Sequence, residues 1–138
     1  MPAKDIPAER SASSHPDVRY PPGGKGYPIA RAASDLNEAL AIIAGRWKSE
    51  ILFALFEKSV LRFSELERAV ENVTQKVLTQ QLRELERDGM VERTVHAAVP
   101  PRVEYRLTAT GAAICPALDA LLQWMQLRRD ALASGSNS

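Results

Sequence analysis

Apolar residues recur along this chain with two different periods, and the places where the period changes divide it into elements. From Ser34 onward Leu36, Leu40 and Ile43 fall at helical spacing, which predicts a first helix capped by Ser34 or Asp35 and ending near Gly45. A second helix is expected over about Lys48 to Glu57, with Trp47 at its start. Its Ile51, Leu52, Leu55 and Phe56 form a face broad enough to pack on more than one side. Ser64 and Glu67 have the spacing of a capping box, so a short helix is expected from Glu65 to about Val70, followed by a turn at Glu71-Asn72-Val73. Thr74 then caps a helix that keeps Leu78, Leu82 and Leu85 on one stripe and stops at Asp88-Gly89, where Gly89 suits the left-handed position past a helix end. Helix, three-residue turn, helix is the spacing of a helix-turn-helix.

Beyond Gly89 the period falls to two. Val91 and Val95 alternate with Glu92, Thr94 and His96, and Val103, Tyr105 and Leu107 alternate with Arg102, Glu104 and Arg106. This predicts a hairpin joined through Ala97-Ala-Val-Pro-Pro101, with Val95 on the inner face and His96 exposed on the outer one; the two prolines hold an extended tip. A hairpin directly after the second helix of such a pair is a wing. Thr108 caps a last helical region, broken near Pro116. After the break Leu118, Leu121, Leu122, Met125 and Leu132 make a stripe around Trp124 on a helix running towards Ala133. Residues 1–33, rich in Pro, Gly, Ser and Ala, read as a flexible arm, residues 34–133 as the folded domain, and Ser134 to Ser138 as a frayed tail. The fold class is therefore mainly α with a small β-hairpin wing, a winged helix-turn-helix.

Composition narrows the function. A chain of 138 residues that is 45% hydrophobic holds one domain with a core. The absence of an apolar run of roughly 20 residues, or of a signal-peptide core, points to a soluble cytoplasmic protein with no membrane partner. Cys115 is the only cysteine and cannot form an internal disulfide, and with only His15 and His96 beside it no metal site is expected. Next to Pro116 in an apolar stretch, it reads as a packed small hydrophobe. Nothing resembles a catalytic set, and Gly23-Gly24-Lys25-Gly26 lacks both the preceding strand and the spacing of a phosphate-binding loop. No enzymatic activity, catalytic residue or cofactor is expected.

The chemistry lies on the outer face of the helix capped by Thr74. Gln, Arg and Lys bond base edges in the major groove, Thr meets phosphate or a thymine methyl, and a helix N-terminus favours phosphate. The candidates for DNA contact are Ser64, Thr74, Gln75, Lys76, Thr79, Gln80 and Arg83, with Arg102 reaching from the wing beside Arg93 and Arg106. On an isolated helix such a face is ordinary solvated surface; its place between a turn and a hairpin favours double-stranded DNA as partner. From Arg62 to Arg106 there are eight basic and eight acidic residues, so the reading requires charge segregated by face. The alternative is a winged-helix protein-interaction module. Apolar helices at both ends leave a stripe that needs a cover, so a symmetric dimer is expected. Trp47 and Trp124 are equally compatible with core packing or with a pocket for a small-molecule effector.

Several stretches resemble one family. Ala39-Leu-Ala-Ile-Ile-Ala-Gly-Arg-Trp-Lys48, Ile51-Leu52 and Arg62-Phe-Ser-Glu-Leu66 look like the first half of the HxlR-type winged-helix regulators, which are related to MarR-like regulators. Leu78-Thr-Gln-Gln-Leu-Arg-Glu-Leu-Glu-Arg-Asp-Gly89, Val91-Glu-Arg-Thr94, Val99-Pro-Pro-Arg-Val-Glu-Tyr-Arg-Leu-Thr108 and Gly111 look like the second. The resemblance implies a transcriptional regulator, a repressor by expectation, that binds an inverted-repeat operator as a homodimer joined through its first and last helices. The interface candidates are then Leu36, Leu40, Leu118, Leu121, Leu122, Trp124 and Met125. Thiol-sensing members carry Cys-Pro just before the first helix; this chain has Ser34-Asp35 there, so sensing of that kind is not expected.

Overall fold

A computed structural model describes residues 28–135, so the expected arm up to residue 27 and the tail from residue 136 lie outside the described residues. Helix α1, Ile29–Ile43, belongs to a unit of its own, and the chain from Ala44 forms a second. α1 starts five residues before the expected cap, which corrects the arm boundary at residue 33. The carbonyl of Pro28 accepts the Ala32 N–H at 2.9 Å, and the alanine-rich opening of the helix favours helix formation. Ser34 and Asp35 therefore sit inside the helix, with Asp35 paired to Arg31 one turn back at 3.9 Å. Ile29 lies two turns before Leu36, so the apolar stripe runs from Ile29 through Leu36 and Leu40 to Ile43. No residue of α1 is buried, and Leu36 is 58% exposed.

In the second unit α2 is Arg46–Lys58, β1 Val60–Arg62, α3 Phe63–Ala69, α4 Gln75–Arg87, β2 Val91–His96, β3 Arg102–Leu107, α5 Ala109–Ala113 and α6 Cys115–Gly135. The broad face of α2 buries Ile51, Leu52 and Leu55, meeting Leu66 and Val70 at α3 and Leu78, Leu82 and Leu85 of α4 in one core. The turn between α3 and α4 holds Asn72 at φ 65, a left-handed conformation that asparagine tolerates better than most residues. Thr74 caps α4 by accepting the Val77 N–H at 3.1 Å, and Gly89 ends it at φ +79, where a Cβ would be strained.

The cap of α3 is Arg62 rather than Ser64. Its box is formed two residues earlier, with Glu65 accepting the backbone N–H of Arg62 at 2.8 Å, so the helix begins at Phe63 and Ser64 lies in its first turn. Glu65 stands three residues past the cap and captures the N–H first; Glu67 lies beyond that reach.

The hairpin is wider than expected by a third strand. The sheet order is β1-β3-β2, all antiparallel, with Leu61 and Arg93 both opposite Tyr105 and with His96 opposite Arg102. Val91 and Tyr105 are buried at the base, but Val95 is 54% exposed rather than inward-facing, because the hairpin runs out beyond the helices that cover its base. His96 is half-buried and bonded to Glu104, not free on the outer face.

Thr108 joins the wing to the C-terminal helices. Its hydroxyl accepts the Gly111 N–H at 2.9 Å and donates to the Gly89 carbonyl at 2.5 Å, and its own N–H donates to Met90 at 3.1 Å. The backbone of Gly111 lies against the Met90 carbonyl so closely that no Cβ fits. The break falls at Ile114, just before Pro116, which occupies the first turn of α6 where a missing N–H costs nothing. α6 continues past Ala133 to Gly135. Of its apolar stripe Leu118 is 7% exposed and belongs to the core of its own chain, which removes it from the interface candidates. Met125 is half-buried, and Leu121, Leu122 and Trp124 remain exposed.

Candidate nucleic-acid interface

α4 has a strict division of faces. Its leucine stripe is enclosed, and Gln75, Lys76, Gln80, Arg83 and Arg87 project from the opposite side, with Thr79 half-buried at the border. The two acidic residues of α4 are both tied back to neighbouring elements. Glu84 receives Lys48 Nζ of α2 at 2.6 Å, and Glu86 receives Arg93 of β2 at 3.9 Å. Lys48, supported by its bond and by its positive charge, holds the Glu84 carboxyl below the usual carboxylate range, against the opposing effect of partial burial. Arg87 is offset by the neighbouring Asp88 at 3.7 Å, whereas Lys76 and Arg83 have no carboxylate within ion-pair distance among the described residues. A neutral segment thus presents a cationic face, the segregation that composition left undecided.

The wing is more heavily compensated. Glu104 draws three groups: His96 Nε2 at 2.7 Å, Arg102 Nε at 3.4 Å and Arg106 Nη2 at 3.5 Å. The His96 hydrogen bond is the largest cause that lowers the Glu104 carboxyl below its ordinary value, with the positive charges of His96, Arg102 and Arg106 adding to it. Arg106 also lies 3.9 Å from Glu92 on the adjacent strand. Arg102, one of the sequence-derived candidates, therefore leans on a carboxylate while remaining exposed.

Three candidates from separate elements do converge. Ser64 of α3, Gln75 of α4 and Arg102 of β3 line one concavity beside Pro100 and Pro101 of the wing tip. Arg62 lines it too and escaped sequence reasoning, because the three-residue β1 that positions it has no period to detect; Glu67 adds a negative charge at its margin. Thr79 and Arg83 line a second hollow with Arg93 and Tyr105, whose phenol burial pushes above its ordinary value. Lys48 leaves no local signal either, as it acts on α4 from another helix. Among the described residues no cluster of His, Cys, Asp or Glu is arranged to hold a metal ion, and no helix is long and apolar enough to cross a membrane.

These features have counterparts in known proteins. The profile of the HxlR-like helix-turn-helix family matches residues 42–132, well over half of the chain. An uncharacterised HTH-type transcriptional regulator of Methanothermobacter thermautotrophicus is 44% identical over 108 residues, which span 75% of this chain and 82% of that protein. The HTH-type regulator YtcD of Bacillus subtilis is 49% identical over 89 residues, 64% of this chain and 70% of its own length. Among solved structures, a transcriptional regulator described as of the MarR family, from Enterococcus faecalis V583, superposes with a TM-score of 0.69 at 42% identity, covering 73% of this chain and 91% of that one. The chain belongs to the HxlR-like helix-turn-helix family of DNA-binding transcriptional regulators.

Proposed function

We propose that the protein regulates transcription from the cytoplasm as a homodimer, setting α4 of each subunit into the major groove of an inverted-repeat operator and repressing the gene it controls. The observation that carries this reading is the outward face of α4, where both acidic residues are drawn off by Lys48 and Arg93 while Lys76 and Arg83 stay unopposed. In this arrangement Gln80 and Arg83 meet base edges, Lys76 and Thr79 meet base or phosphate, and Thr74, Gln75, Ser64 and Arg102 hold phosphates on either side. Leu36 and Leu40 of α1, with Leu121, Leu122, Trp124 and Met125 of α6, pair across the dyad. A small-molecule effector is compatible with this plan, and no catalysis is part of it.

Binding to the gene's own upstream DNA and to a scrambled duplex, followed by fluorescence anisotropy across a salt series, tests this reading. Selective binding should weaken as salt rises, and Gln80→Ala with Arg83→Ala should abolish selectivity while leaving the fold intact. Equal weak binding to both duplexes would favour the protein-interaction module instead.

A further inference from the structure

Gln80 stands exposed in the middle of the outward face of α4, and its Nε2 donates to Glu84 Oε2 at 3.4 Å. The other oxygen of Glu84 is held at 2.6 Å by Lys48, whose side chain is only 11% exposed. The carboxylate cannot swing away without stranding a nearly enclosed cation, which is costly. A carboxylate only accepts hydrogen bonds, so the amide of Gln80 must turn its NH2 towards Glu84 and its Oε1 away; the reversed amide would set oxygen against oxygen. A glutamine without such a neighbour has no such preference, since its last torsion is broad and two-fold.

We propose that Lys48 and Glu84 are positioning residues that fix the amide of Gln80 so that it reads adenine and rejects guanine. This rests on the reading of α4 as the groove-reading helix. With Oε1 presented outward and one N–H still free, Gln80 accepts from adenine N6 and donates to N7. Guanine offers only the acceptors N7 and O6 at the same edge and would face Oε1 with a second oxygen. Glu84 is ionised, and so acceptor-only, at neutral pH, and Lys48 lowers its carboxyl further below the ordinary value.

The test starts from a duplex that the full chain selects from a random library. Each base pair of one half-site is then replaced in turn, and Kd is measured by anisotropy. Gln80→Ala should flatten the preference at one base pair per half-site and so mark the pair it reads. Glu84→Ala should reduce the adenine-over-guanine preference at that pair by up to about 5- to 150-fold, the range one bidentate contact commands, and change the other pairs by less than about twofold. In a Gln80→Ala background the Glu84→Ala change should have no further effect there, which a merely structural role would not produce. The double variant Lys48→Met with Glu84→Ala strands no cation and carries the same expectation should the single variant fold poorly. A loss spread evenly over all sequences overturns the inference while leaving the functional reading intact, as does an effect that survives removal of Gln80 or a marked pair that prefers guanine. A wild-type protein that selects no sequence overturns both.

Discussion

α4 and α6 both carry apolar stripes, yet only that of α4 is enclosed. In α4 the stripe of Leu78, Leu82 and Leu85 is fully enclosed and its polar face is open, as befits a helix that offers polar groups to a ligand. In α6 the reverse holds: Leu118 alone is buried, while Leu122 is 55% and Trp124 53% exposed. The same is true of α1, an apolar stripe of four turns with no buried residue. We propose that a second copy covers these open stripes, whereas the enclosed stripe of α4 needs no cover. On the proposed function, the contrast separates the helix that would read DNA from the helices that would pair.

Four substitutions or conditions probe this division, taken from the largest effect to the smallest. Leu122→Asp puts a carboxylate into the proposed interface twice, once from each subunit, and an unpaired buried charge costs several kcal/mol per ion. The protein should then sediment as a monomer at concentrations where the wild type is dimeric. Leu82→Ala should cost about 2–5 kcal/mol in urea unfolding through the cavity it opens, in monomer and dimer alike. Gly111→Ala forces a methyl against the Met90 carbonyl and should cost about 1–3 kcal/mol by overpacking, loosening the root of the C-terminal helices rather than α4. The smallest effect is that of acid. The lowered carboxyls of Glu84 and Glu104 contribute stability that is present above their ordinary values and fades as the pH falls through the lowered ones. Thermal melts taken from neutral pH to well below the ordinary glutamate value of 4.5 should show this decline, and Glu104→Gln should flatten it in part; an unchanged slope would remove the wing carboxylate from the account.

What the sequence disclosed follows the range of the forces involved. Thr74, Gly89 and the leucines of α4 act within one or two turns, so their roles are written in local spacing, and the polar outer face was legible from the residues between them, though not its net charge. β1 was not, because three residues carry no alternation and their pairing joins Val60 to Arg106 across the whole unit. The start of α1 was hidden by the proline-rich approach that ends at Pro28, and the cap of α3 went to the nearer of two glutamates. Leu118 and Leu122 have the same pattern in sequence, and only packing tells the enclosed one from the open one. The tie from Lys48 to Glu84 joins two helices and leaves no local mark, although it decides which charges α4 presents.

The central claim, that two copies of α4 read one two-fold site, is tested most directly by hydroxyl-radical footprinting on a duplex selected by the full chain. The account predicts two protected tracts related by a dyad, with centres about one helical turn, ~34 Å, apart, on a sequence that is itself an inverted repeat. A single unsymmetrical tract, or the same protection on scrambled DNA, would contradict it.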